Sequence, residues 1–158
     1  MKLGCKEDAE LIYRRRRTSR GPLPKGWKKL GEGTYRSTYL SPAGVVYKVA
    51  HPWEQDTNIP EYNNYLRIRN GKIRLPKGWA IAPAHLYSFP FKDETVNVVA
   101  MKYIEGKHEM GMTYDQSEAW FEKIGADRVF EKLNLYDLHE GNFVVTPEGK
   151  YVIIDLGA

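Results

Sequence analysis

Four residues able to do chemistry together lie between Leu135 and Gly157, in the stretch LYDLHEGNFVVTPEGKYVIIDLG. Asp137 and Asn142 bracket a short polar loop, DLHEGN. An apolar run follows at Phe143-Val144-Val145, then a turn at Thr146-Pro147-Glu148-Gly149, then a second run at Tyr151-Val152-Ile153-Ile154. That pattern predicts a β-hairpin. A hairpin returns the chain to its start, so Asp155, just after the second strand, should lie close to Asn142. A carboxylate and a carboxamide brought together at strand ends suit a hard, oxygen-seeking cation such as Mg²⁺. Asp137, one loop away, is placed to act on a hydroxyl.

The elements that must position these groups come earlier. Trp27 to Ala50 reads as three strands: Trp27 to Leu30, Tyr35 to Leu40 and Val45 to Ala50. Gly31-Glu32-Gly33 and Ser41-Pro42-Ala43-Gly44 make the turns. In VVYKV, alternation puts Val46 and Lys48 on one face and Val45, Tyr47 and Val49 on the other. Lys48 is then either a functional cation or a strand lysine in solvent. A helix over Pro60 to Arg69 has Tyr62, Tyr65, Leu66 and Ile68 for packing. Residues 70–83 read as a Gly- and Pro-punctuated connector. Ala84 to Phe89 and Thr95 to Tyr103 predict two antiparallel strands, and Tyr114 to Lys123 and Asp127 to Leu133 predict one or two helices, with Gly125 between their apolar sets.

Taken together, LGEGTYRSTY, VVYKV, VVAMKYIEGK, D-x-H-x-x-N and D-L-G resemble, in order, the motifs of the protein-kinase-like superfamily. His139 in the D-x-H-x-x-N loop is similar to the aminoglycoside and choline kinase-like branch, and the small size resembles minimal kinase-like proteins of phages and bacteria. Leu135-Tyr136 replace the usual His-Arg, and Leu156 the usual Phe. The resemblance implies an α+β, protein-kinase-like fold: an antiparallel five-stranded N-lobe sheet with one helix, and a much reduced C-lobe of one or two helices and the catalytic hairpin.

It also implies site roles. Asp137 would be the catalytic base and His139 a γ-phosphate contact. Lys48 would hold the α- and β-phosphates of ATP, and Glu61 would pair with Lys48. Asn58-x-x-Glu61 also fits a capping box, and Glu54 is a second candidate partner for Lys48. Gly31 and Gly33 match loop glycines, and Arg36 stands where the third would be, able to contact a phosphate itself. Met101 and Tyr103 would line the adenine pocket at a hinge. Asn142 and Asp155 would hold Mg²⁺. The implied function is an ATP- and Mg²⁺-dependent phosphotransferase, acting on a hydroxyl of a protein or small molecule. The alternative is a non-catalytic kinase-like module that binds nucleotide or a macromolecular partner.

Length and charge set the frame. The chain has 158 residues, enough for one core, and no apolar run nears the roughly 18 residues needed to span a bilayer. With no signal-like apolar core near Met1, no membrane partner and a cytoplasmic location are expected. Cys5 is the single cysteine, so no internal disulfide forms. Residues 1–30 hold ten Lys/Arg against three acids; residues 31–158 hold fourteen against seventeen. The organisation expected is a basic N-terminal extension (1–26), a kinase-like N-lobe with hinge (27–104) and a truncated C-lobe (105–158). Within the extension, residues 5 to 17 suggest a short helix ending in Arg14 to Arg17. Those arginines are either a solvated helix end or a contact for an acidic or nucleic-acid partner. The sequence has no A-P-E motif after Gly157, and a second copy of the chain is a further expected partner, supplying lobe surface in trans.

Overall fold

The computed structural model describes residues 3–18, 21–51, 57–108, 111–135 and 138–156, the side chains of 17 and 18 excepted. Asp137, Glu54 and Gly157 lie outside the described residues. The architecture is α+β, and the chain divides into two compact units. The first comprises residues 1–62 and 83–103, the second residues 63–82 and 104–158.

The first unit is built on a five-stranded antiparallel sheet. Its strands are β1 (Lys28–Glu32), β2 (Arg36–Leu40), β3 (Val45–Ala50), β5 (Ala84–Phe91) and β6 (Glu94–Lys102), in the order β1-β2-β3-β6-β5. The alternation expected of β3 holds. Tyr47, Val49 and the partly buried Val45 join the apolar core, while Val46 and Lys48 belong to the opposite face.

The core face is covered by the helix α1 (Lys6–Thr18). Ala9 and Ile12 are fully buried, and Tyr13 meets Phe89 and Phe91 edge-on, at centroid distances of 5.6 and 5.2 Å. Such pairs stabilise beyond the area they bury. Tyr47 Oη accepts a hydrogen bond from the Cys5 amide, and Tyr87 Oη donates one to the Leu3 carbonyl. The segment read from sequence as a basic extension therefore closes the core of the first unit. Its arginines also find aromatic partners: Arg14 lies 5.1 Å from the Phe91 ring centre and Arg16 5.9 Å from that of Tyr39.

The second unit holds a three-stranded sheet in the order β4-β8-β7, with β4 at Trp79–Ile81, β7 at Phe143–Val145 and β8 at Tyr151–Ile153. β7 and β8 form the expected hairpin. β4 pairs with β8 in parallel, a strand inside what reads from sequence as a connector. Against this sheet lies α3 (Tyr114–Ile124), whose Trp120 and Phe121 meet Phe143, and α4 (Ala126–Lys132) follows it. A Thr113–Gln116 capping box starts α3, and Gly125 ends it at φ 79°, a left-handed conformation that glycine adopts without a Cβ penalty. Phe143 is the centre of packing, ringed by Trp79, Trp120, Phe121 and Tyr151 at 5.3–6.2 Å. The remaining helix, α2 (Asn58–Arg69), starts in the first unit and ends in the second.

Gly106 sits where Lys107 pairs with Val145, each amide donating to the other's carbonyl at 2.9 Å. A Cβ at Gly106 would come within 2.8 Å of the Val145 carbonyl oxygen and 2.9 Å of Val144 Cβ. Backbone cannot give way as a flexible side chain can. Gly106→Ala should therefore cost about 1–3 kcal/mol, the usual penalty for overpacking. Urea denaturation checks this, and an unchanged midpoint would show that the strand edge yields freely.

Candidate functional site

Two clusters of polar side chains stand out, one in each unit. The first is built on the face of the five-stranded sheet opposite α1. Lys48 and Glu61 are 3% and 4% exposed. Lys48 Nζ donates to Glu61 Oε1 at 2.5 Å. Arg36 grips the same carboxylate with both nitrogens: Nη1 to Oε2 at 2.8 Å and Nη2 to Oε1 at 3.1 Å. Arg36 Nη1 also donates to Asn58 Oδ1 at 2.9 Å. Asn58, fully buried, turns its amide nitrogen to the carbonyls of Lys48 and Asn97, at 3.0 and 2.9 Å. Four elements, β2, β3, β6 and α2, are thus tied through one carboxylate and one carboxamide.

This arrangement narrows the readings open for these residues. Lys48 is buried and paired, not a solvent lysine. The Glu61 carboxylate goes to Lys48 and Arg36, and the Glu61 amide donates to the Thr57 carbonyl. Asn58 is the first residue of the helix, and its side chain reaches across the sheet. Arg36 shares the partner of Lys48, a role that its place in the glycine-loop pattern did not signal. Alternation along β2 could have signalled it, since Arg36 and Thr38 share a face and Thr38 pairs with Lys48.

Electrostatics follow from the geometry. Burial alone would push the Glu61 carboxyl up, because it penalises the charged form. The adjacent Arg36 and then Lys48 outweigh it and hold Glu61 down at about 2.

The turn from β1 to β2 is closed by Gly33, whose amide donates to the Arg36 carbonyl at 2.8 Å. The Gly33 carbonyl accepts from His51 Nε2 at 2.9 Å, and the His51 amide donates to the Tyr35 carbonyl. His51 therefore braces the loop from the end of β3. Neither Gly31 nor Gly33 has a positive φ, and a Cβ on either would meet nothing closer than 3.6 Å. The local fold does not require glycine at either place. Met101 is buried, opposite Val46 in β3 and Ala84 in β5, and Tyr103 just beyond β6 is 44% exposed.

The second cluster is the loop and hairpin around Asn142. His139 caps the 3-10 turn Glu140–Asn142: its Nδ1 accepts from the Gly141 amide at 3.0 Å. With Nδ1 accepting, the neutral ring carries its proton on Nε2, as a donor. Gly141 leaves the ring its room, since a Cβ there would lie 2.9 Å from it. Asn142 is fully buried, and its Oδ1 accepts from the His139 amide at 2.7 Å. Its carbonyl accepts from the amides of Ile154 and Asp155, at 2.8 and 3.2 Å. The hairpin does bring Asp155 beside Asn142, as its turn predicts. The Leu156 carbonyl accepts from Asn64 Nδ2 of α2 at 3.1 Å. Glu140 takes a hydrogen bond from Ser117 Oγ at 2.7 Å, which lowers its carboxyl below the usual range.

Asp155 and Asn142 are the carboxylate and carboxamide that the sequence pattern pairs for a hard cation. Oδ1 of Asn142, fully buried, has one lone pair on the His139 amide. The Asn142 Nδ2, buried, has no hydrogen-bond partner among the described residues. Among those residues no three His, Cys, Asp or Glu side chains gather as a metal site. A carboxylate and a carboxamide oxygen are donor types that Mg²⁺ takes, together with water and substrate oxygens.

No protein-family model matches this chain, and no curated protein matches it.

The first cluster makes a testable claim about stability. Glu61→Gln leaves two buried cations beside a neutral amide, and breaking such a pair costs about 3–5 kcal/mol. The folded carboxyl lies below its ordinary value of 4.5. Its contribution is therefore full above pH 4.5 and is lost as pH falls through about 2. Urea midpoints measured from pH 6 down to about pH 2 should fall steeply for the wild type and less steeply for Glu61→Gln. Identical acid profiles for both would remove Glu61 from this role.

Proposed function

We propose that this chain is a protein-kinase-like phosphotransferase that moves the γ-phosphate of ATP to a hydroxyl of a protein or small molecule. The observation that carries this reading is the buried Lys48–Glu61 pair on the sheet that also bears the glycine hairpin. A lysine kept charged inside a protein is costly, and its position is held by a partner fixed on a helix. That is the arrangement phosphoryl transfer needs, because its transition state is loose and most of the catalytic work is positioning and charge stabilisation.

On this reading Lys48 holds the α- and β-phosphates as a point charge, oriented by Glu61. Gly31 and Gly33, not required by the local backbone, leave room for a ligand to approach the loop. The backbone of residues 101–103 meets the base, with Met101 and Tyr103 beside it. Asp137, outside the described residues, accepts the proton of the acceptor hydroxyl as its oxygen bonds to the γ-phosphorus. The bond from that phosphorus to the bridging oxygen breaks, and ADP leaves. His139 Nε2 is available as a donor to a phosphate oxygen. Asp155 and Oδ1 of Asn142 would hold Mg²⁺, which when bound neutralises charge building on the phosphates.

A second reading, a non-catalytic kinase-like module, draws on two observations. Arg36 takes both oxygens of Glu61 where the family pattern has a glycine. Asn142 is wholly buried, with its oxygen on the His139 amide. Such a module would bind nucleotide without turning it over, or would act through a macromolecular partner.

Thermal unfolding with ATP and Mg²⁺ tests the proposal. Binding to the native state at one hundred times the dissociation constant adds about 2.7 kcal/mol. The wild type should melt higher only when both are present, and Asp155→Ala should lose that shift. No shift at millimolar ATP would contradict nucleotide binding. A shift without release of ADP in the presence of candidate acceptors would favour the non-catalytic reading.

A further inference from the structure

The second unit carries a concavity of about 500 Å³ where α3 passes into α4, and its lining includes none of His139, Asn142 or Asp155. Four cations line it: Lys77, Lys123, Arg128 and Lys132. A single acid, Glu122, joins them; Asp127 and Glu131, the acids of α4, are not on the lining. None of the four cationic side chains forms an ion pair or hydrogen bond among the described residues. Arg128 and Lys132 are four apart on one helix, a spacing at which like charges repel. The fold thus gathers positive charge at this point.

The floor differs in character from the rim. Trp79 lies against Tyr151 at 5.1 Å with the rings 27° apart, and donates its indole N–H to the Ile124 carbonyl at 3.1 Å. That hydrogen bond fixes the indole, and Ile124 and Val129 extend the apolar surface. The volume is that of a small-molecule site, and an apolar floor with a few charged groups at its rim is how such sites are made. Three lysines act as point charges for phosphate oxygens, and one arginine adds a planar fork that grips a phosphate with two hydrogen bonds. Carboxylates carry less charge per group and would leave more of this field unanswered.

We infer that the concavity lined by Lys77, Lys123, Arg128 and Lys132 over Trp79 is a binding site for a small molecule with two or more phosphate groups. It is separate from the site proposed for nucleotide and does not depend on that proposal. The phosphates sit among the four cations, and an apolar portion lies toward Trp79, Ile124 and Val129.

Inorganic tripolyphosphate is the simplest probe, used without Mg²⁺ at about 0.15 M ionic strength, where charges more than ~8 Å apart are largely screened. Amide and indole N–H signals of the ¹⁵N-labelled full chain report on the site. The Trp79 indole and Gly125 amide signals should move saturably in the wild type and in Asp155→Ala. In Lys123→Ala/Arg128→Ala, whose changed side chains are exposed, the dissociation constant should rise about tenfold or more. The inference is overturned by signals that do not saturate, by movement confined to residues outside the concavity, or by equal affinity in the double variant. Citrate binding as tightly as tripolyphosphate would overturn the phosphate assignment. Movement of the Gly31 and Gly33 amide signals in place of these would assign the response to the other site.

Discussion

One carboxylate holds the first unit's polar face together. Glu61 receives Lys48 from β3 and the Arg36 fork from β2, and Asn58 on the same helix turn links Arg36 to β3 and β6. Removing charges from water is expensive, and their mutual attraction repays the cost only when geometry is good and the remaining donors are satisfied. Here the fork is two-pronged, and the carboxamide nitrogen donates to the Lys48 and Asn97 carbonyls. The start of α2 is therefore positioned by charge and hydrogen bonds on one sheet face, while α1 is positioned by apolar burial on the other. The same feature fixes Lys48 at one place, which any phosphate-handling role requires.

The second unit achieves position by shorter means. The His139 ring, the Asn142 carboxamide and the Asn142 carbonyl are each bonded within the loop or to the end of the adjoining hairpin. A three-residue 3-10 turn and two three-residue strands are too short to be stable alone. Their support is the aromatic cluster around Phe143, to which β4, β8 and α3 contribute rings. The loop chemistry is thus local, and the packing that holds it is not. The buried Nδ2 of Asn142, without a partner among the described residues, is a cost within this loop.

That division explains what could be read in the sequence. The strands of the five-stranded sheet, the hairpin and the Gly125 break were legible because alternation and turn chemistry are local signals. Asp155 beside Asn142 followed from the hairpin alone. β4 was not legible: three residues cannot show a period, and a parallel partner some seventy residues on leaves no local trace. The role of α1 was missed because its apolar side is thin; Ala9, Ile12 and Tyr13 suffice only because the sheet supplies Phe89, Phe91 and Tyr87 beneath them. Arg36 matches a loop-glycine position in the sequence, and its partner lies twenty-five residues away on a helix. No helix among the described residues is long and apolar enough to cross a membrane, as hydropathy along the chain suggested.

The central claim is that Glu61 stays ionised while buried because Arg36 and Lys48 hold it so. A titration of the Glu61 side-chain carboxyl by ¹³C NMR, assigned by comparison with Glu61→Gln, tests this most directly. The account predicts a midpoint near 2 with the protein still folded. A midpoint at or above the ordinary 4.5 would contradict it, because burial would then outweigh both cations and the carboxylate could not be the tie between strands and helix.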